Sequence, residues 1–217
     1  MRFDAGTIRA FDSSRATEAG QVRDVVVFTA LTVIGAKVYI PHEPVPFTLQ
    51  TLFVVLAGAF LGRRGGTVSM LTYLLLGAAG IPVFAGPEAG FTVFFGATAG
   101  YLIGFVLSAA VVGSIIDLDD SFLWTALSMA AGFAIIFACG TAWLNAFFLH
   151  DWNAAIAQGF LIFSFWDLVK LAAAVGVYRA LKADPAFHTN HKSEALSRRG
   201  KRVPRRFPLG RNWRNNG

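Results

Sequence analysis

The stretch AAIAQGFLIFSFWDLVKLAAAVGVYRAL, residues 154–181, is apolar over nearly its whole length, yet Asp167 and Lys170 sit near its middle. As a helix it is long enough to cross a bilayer, which takes about 20 mostly apolar residues. Residues three apart share one helix face, so the acid and the base lie together. Ionisable groups at that depth are costly, and they face a bundle interior or a cavity. Three readings follow. The pair neutralises itself and is structural; it contacts a solute; or it transfers protons in a membrane-embedded enzyme. Two desolvated ions can be replaced by apolar groups without loss of stability, so stability alone is a weak reason for them.

The rest of the chain is built the same way. Of 217 residues, 55% are hydrophobic and 15% are charged, against about 25% charged in an average soluble domain. The mean hydropathy is +0.55. Apolar runs cover 25–40, 47–61, 67–83, 91–116, 123–149 and 156–181, and none has enough polar positions for a solvated face. A helix apolar all round belongs in a core or a bilayer. The pattern predicts an all-α polytopic membrane protein with six transmembrane helices. Its parts are a polar N-terminal segment, 1–23, a membrane domain, 24–181, and a basic tail, 182–217, too poor in aliphatic residues to bury a core. The polar start lacks the apolar centre of a cleavable signal peptide.

All 19 lysines and arginines obey one pattern. Arg2, Arg9, Arg15 and Arg23 precede the first run, Arg63 and Arg64 separate the second from the third, and the basic residues from Arg179 onward lie at or beyond the end of the sixth. Only Lys37 and Lys170 otherwise lie inside runs. The positive-inside rule then places both termini in the cytoplasm, as an even number of crossings requires. The basic tail reads as a ligand for anionic lipid, at about 1 kcal/mol per basic residue near the surface. It lacks a nucleic-acid-binding fold, so no nucleic acid is expected. The single cysteine, Cys139, excludes an internal disulfide and reads as packing. No metal-ligand spacing, no GxxxxGK[ST], no GxSxG and no HExxH occurs. No metal or cofactor is expected, nor ATP hydrolysis by this chain.

Along the chain, Thr32 and Ala36 form a small-xxx-small pair that either packs in the bundle or docks another membrane subunit. Lys37 snorkels to the interface or meets an anionic ligand. The proline-rich turn 41–46, PHEPVP, is a stiff loop or a lid. Gln50 makes an interhelical hydrogen bond or a ligand contact, and Asn145 has the same two readings. Gly58 and Gly62 form a GxxxG pair. Tyr73, at depth, needs a partner for its hydroxyl. Residues 82–90 are rich in glycine and proline, and irregular backbone at membrane depth must be covered or line a cavity, so they form a candidate binding loop or gate. Gly96, Gly100, Gly104 and Ser108 make a smooth strip for tight packing. Its outer end, with the hydroxyls of Thr98 and Tyr101, could also hold a ring system.

These residues resemble the BioY family, the biotin-binding S components of energy-coupling factor transporters. PVPFTLQTL, from Pro44 to Leu52, resembles the family's PVPxTLQTL. GAAGIPVFAG, from Gly77 to Gly86, is similar to GxxGxPVFAG, and GATAGYLIGF, from Gly96 to Phe105, is similar to GPTGGYLxGF. Asp167-Leu168-Val169-Lys170 matches the D-x-x-K of the last span. The resemblance covers roughly 24–181. It implies six helices around an outward-facing vitamin pocket and high-affinity biotin uptake across the cytoplasmic membrane. It also implies docking on a transmembrane coupling protein served by two ATPases, through the small-residue face of the first span, here Thr32 and Ala36. Some members act without dedicated partners, and for these a homo-oligomer is open. On this reading Asp167 accepts from the ureido N–H groups, Lys170 donates to an oxygen, and Gln50 serves either side. Tyr73 and the Gly96–Gly100 backbone flank the fused rings, with Thr98 and Tyr101 beside them. An S component for another small vitamin is the alternative. Two departures carry expectations of their own. Ala97-Thr98-Ala99 replaces the family's Pro-Thr-Gly, which predicts a more regular start to the fourth span. Phe165-Trp166 replaces Pro-Gly, which predicts a shift in the reach of Asp167.

Overall fold

The computed structural model describes residues 18–183 apart from 87–88 and 162–163. The expectations for the polar start and the basic tail concern residues that lie outside the described ones. Helix α1 spans Glu18–Lys37. A two-residue strand, β1 (Tyr39–Ile40), pairs antiparallel with β2 (Phe47–Thr48) and closes the proline-rich turn between them. Then come α2 (Gln50–Ala78), a 3₁₀ segment (Phe91–Phe95), α3 (Ala99–Ile116) and α4 (Phe122–Leu144), the last running on as a π-helical turn, Asn145–Leu149. Two helices finish the bundle, α5 (Trp152–Gly159) and α6 (Ser164–Lys182). The described residues are mostly helical, and among them the small ladder is the one departure from an all-α reading.

The second and third apolar runs form one helical element that reverses at Gly62. There φ is 69° and ψ is −178°, a region open essentially to glycine alone. The reversal is visible in the contacts. Gln50 and Tyr73, 23 positions apart, are hydrogen-bonded, whereas a straight helix would separate them by about 35 Å. Gly66 lies against Gly58 for the same reason. Gly62 is therefore a turn and not half of a packing pair, which corrects the GxxxG reading. Gly58 packs on Ala109 and Val112 of α3.

The fourth span starts with Phe91–Phe95 in a 3₁₀ turn and Gly96 extended, and α3 begins at Ala99. One further expectation changes. The sixth run is broken, because α5 stops at Gly159 and α6 starts at Ser164. The last carbonyl of α5 has no partner in its own helix. Tyr101 of α3 supplies one, its hydroxyl donating to Gly159 O at 2.7 Å. A side chain at Gly159 would crowd that hydroxyl and Thr141. At the other end of α5, Asp151 accepts from the amide of Asn153 at 2.8 Å, an N-cap.

The core is formed by Val54, Val55 and Met70 of α2, Val112 of α3, and Met129 and Ile136 of α4, all fully buried. The glycine strip of α3 lets α4 approach, with Gly100 against Trp143 and Gly104 against Ile136. Thr32 and Ala36 of α1 are both 0% exposed. They face the bundle, which corrects their reading as a docking face and leaves the packing reading. Outward, Leu75, Phe122, Phe147 and Phe165 are 60–70% exposed, as a lipid-facing surface requires. Among the described residues, three helices, Ala19–Lys37, Ala99–Ile116 and Phe122–Leu149, are long and apolar enough to cross a membrane. The two arms of α2 are short, and α6 carries Asp167, Lys170, Arg179 and Lys182.

The bundle has distinct ends. At one, Asp117 accepts from the Arg63 amide at 3.4 Å, Arg179 Nη1 donates to Asp120 O at 2.8 Å, and Lys182 pairs with the Asp120 carboxylate. At the other lie the loops 41–46 and 82–86. Replacing Gly62 by alanine is expected to lower stability by about 1–3 kcal/mol, the cost of a side chain in that backbone region. Gly176→Ala, at an open helical position, should leave thermal unfolding in detergent unchanged or slightly raised.

Candidate functional site

Beneath the two loops is a cavity of about 600 Å³, within the roughly 300–1,000 Å³ of small-molecule sites. Residues of the 41–46 turn roof it, including His42, whose ring meets Phe47 edge-on at 5.3 Å. Phe84, Ala85 and Gly86 form one wall. That wall is tied down in two ways. Lys37 Nζ donates to Phe84 O at 2.7 Å, and the Phe84 ring stands edge-on to Tyr73 at 5.4 Å, in the space left by Gly77. Lys37 thus holds the loop, a role not read from the sequence. Phe105, Phe137 and Phe148 complete the apolar lining.

Six of the polar side chains in the lining form two hydrogen-bonded chains. In the first, Gln50 Nε2 donates to the Tyr73 hydroxyl, which donates to Val83 O at 3.3 Å. Gln50 Oε1 accepts from Thr48 Oγ1 at 3.0 Å. Both ends of this buried amide are therefore engaged and its orientation is fixed by its partners. The second chain centres on Lys170. Its ammonium has three N–H groups, and each has an acceptor: the Asp167 carboxylate, Thr51 Oγ1 at 3.0 Å and Thr48 O at 3.0 Å. Asp167 is 5% exposed and Lys170 9%. The pair does more than neutralise itself, because Lys170 ties α6 to the outer start of α2. Asp167 Oδ2 is buried without a hydrogen-bond partner among the described residues. Buried polar atoms are nearly always paired, so an unpaired carboxylate oxygen beside a cavity is a ready acceptor for a ligand N–H.

A family model, the BioY family, matches residues 12–186. The chain belongs to the BioY family. It is 47% identical over 156 residues to the biotin transporter BioY of Thermotoga maritima, covering 72% of this chain and 92% of that protein. It is 38% identical over 167 residues to the probable biotin transporter BioY of Pyrococcus horikoshii, covering 77% of this chain and 99% of that one. Its fold resembles the crystal structure of the S-component for biotin from an ECF-type ABC transporter. The TM-score is 0.71, with 24% identity over 80% of this chain and 97% of the other.

In this BioY chain, the cavity brings together Gln50, Tyr73, Gly96, Thr98, Tyr101, Asp167 and Lys170. Gly100 is not among them. Its missing side chain faces Trp143 and Cys139 of α4, where a Cβ would collide, so it is a packing glycine. The Gly96 carbonyl accepts from Trp143 Nε1 at 3.0 Å, and the Tyr101 hydroxyl is bonded to Gly159 O. Phe165 and Trp166 point outward, 70% and 56% exposed, while Asp167 turns inward. The bulky residues before Asp167 therefore sit on the opposite face and do not intrude on the cavity. Thr48 and Thr51 were not singled out from sequence. They flank Gln50 within PVPFTLQTL, but threonine at a helix start reads as an ordinary backbone-bonding residue.

Removing one member of the buried pair should be far worse than removing both. Lys170→Met leaves Asp167 uncompensated and is expected to cost about 3–5 kcal/mol of stability. Asp167→Leu combined with Lys170→Met should recover most of that loss in thermal unfolding.

Proposed function

We propose that this chain captures biotin with high affinity from outside the cytoplasmic membrane and carries it inward. It does so as the substrate-specific subunit of an ECF-type transporter or as a solitary transporter. The observation that carries the reading is the buried, unpartnered Oδ2 of Asp167 at a cavity where Gln50, Tyr73 and Lys170 are already hydrogen-bonded within the protein. Biotin's ureido ring has two N–H donors and one carbonyl oxygen. An N–H to a carboxylate is about twice as strong as a neutral hydrogen bond. A ligand carbonyl can replace the Thr48 carbonyl on Lys170, and the aromatic lining suits the thiophane ring and the aliphatic chain. The relatives' names point to the same solute. Membership of a transporter family argues against proton-transfer chemistry by Asp167 and Lys170.

In the membrane, α1, the two arms of α2, α3, α4 and the interrupted α5–α6 unit make six crossings. Arg63, Arg179 and Lys182 share one end of the bundle, which supports cytoplasmic termini. Phe147, Trp152 and Phe165 are exposed toward the other, as aromatic residues are at membrane interfaces. The partners this reading implies are a transmembrane coupling protein with two ATPase subunits, and anionic lipid for the tail. A homo-oligomer is the alternative for solitary action.

The purified protein should bind labelled biotin stoichiometrically and release it unchanged. Asp167→Asn should weaken binding by roughly tenfold to hundredfold, since bonds to charged groups contribute about 1.5–3 kcal/mol. Absence of binding in the parent, or release of an altered product, would sink the proposal. Uptake by cells with and without the ATPase subunits separates the coupled from the solitary mode.

A further inference from the structure

Thr51 lies where the first arm of α2 meets α6 and is 7% exposed. Its hydroxyl has two neighbours, Lys170 Nζ at 3.0 Å and Asp167 Oδ1 at 3.3 Å. An ammonium can only donate, so the first bond runs from Lys170 to Thr51. The single hydroxyl proton is then available for Asp167, and the direction of the second bond is settled as well. Oδ1 accepts from Lys170 and from Thr51. Oδ2 accepts from nothing among the described residues.

That asymmetry needs a cause. The terminal torsion of an aspartate is broad and roughly two-fold. Lys170, on the same helix, could bind either oxygen equally well. A hydroxyl fixed on a different helix removes the equivalence, because only one rotation of the carboxylate satisfies both donors. We infer that Thr51 is a positioning residue: it locks the rotation of the Asp167 carboxylate and so reserves Oδ2 for the N–H of a neutral cyclic urea or amide. It acts through Asp167 and need not touch the solute. The inference rests on the biotin reading above and adds a second helix to the machinery of the site.

The test measures equilibrium binding of labelled biotin to the full chain in detergent, with thermal unfolding alongside. Thr51→Val keeps the shape and deletes the hydroxyl, and it should weaken binding by about tenfold or more. Thr51→Ser keeps the hydroxyl and should bind within about threefold of the parent. In an Asp167→Asn background, Thr51→Val should cost less than about threefold, since the group it orients is gone. A merely structural threonine would instead lower the unfolding temperature and cost the same in both backgrounds. Parent-like binding by Thr51→Val, or an equal cost with and without Asp167, overturns the inference. If the valine variant does not fold, Thr51→Ala replaces it: a tenfold gap between Ala and Ser supports the inference, and equal affinities overturn it. A parent that binds no biotin overturns the biotin reading as well, whereas parent binding with an indifferent Thr51 overturns the inference alone.

Discussion

Lys170 is a buried cation whose every proton is spoken for. An ammonium taken from water into the bundle carries a penalty of several kcal/mol, and three acceptors from three elements offset it. Thr48 closes β2, Thr51 lies in the first turn of α2, and Asp167 comes from Lys170's own helix. The requirement fixes where α6 sits against α2 and therefore where the cavity's charged end lies. Other features of the bundle serve that placement. The reversal at Gly62 brings Tyr73 back to Gln50, and the break after Gly159 sets off α6 as a separate rod with its own orientation.

The same rule governs the neutral groups. In a medium without water, each buried donor or acceptor needs a partner, and satisfied chains stiffen one another. Gln50, Tyr73 and the Val83 carbonyl form one such chain, and Tyr101 with Gly159 forms another link. Both hold irregular backbone at depth, where it is tolerated only if its polar atoms are covered. The cavity is polar at only a few points because most polar groups near it are spent on its walls.

Much of this was legible in the residues. Apolar runs marked the helices, and Asp167 and Lys170 stood out against them. The residues that defeated the reading did so for physical reasons. A helix apolar all round has no polar face to show which side turns inward, so Thr32 and Ala36 could be grouped but not oriented. Gly159 is followed by Phe160 and Leu161, which continue a hydrophobic run while the backbone leaves the helix, and the partner that permits this is Tyr101, 58 positions away. Gly62 looked like a packing glycine because spacing does not report φ. Thr51 has the chemistry of any helix-start threonine until α6 is seen beside it.

One bond links the cavity to the membrane surface of the protein. Lys37 closes the last turn of α1 and holds the carbonyl of Phe84, a residue of the cavity wall. The outer end of α1 and that wall are therefore mechanically joined. Neither can swing alone without losing a charged hydrogen bond of about 1.5–3 kcal/mol. Any partner or lipid environment that tilts α1 pulls on the wall of the chamber, and a solute that presses the wall outward loads α1 in return. The helix is a lever arm, with Lys37 as its pin.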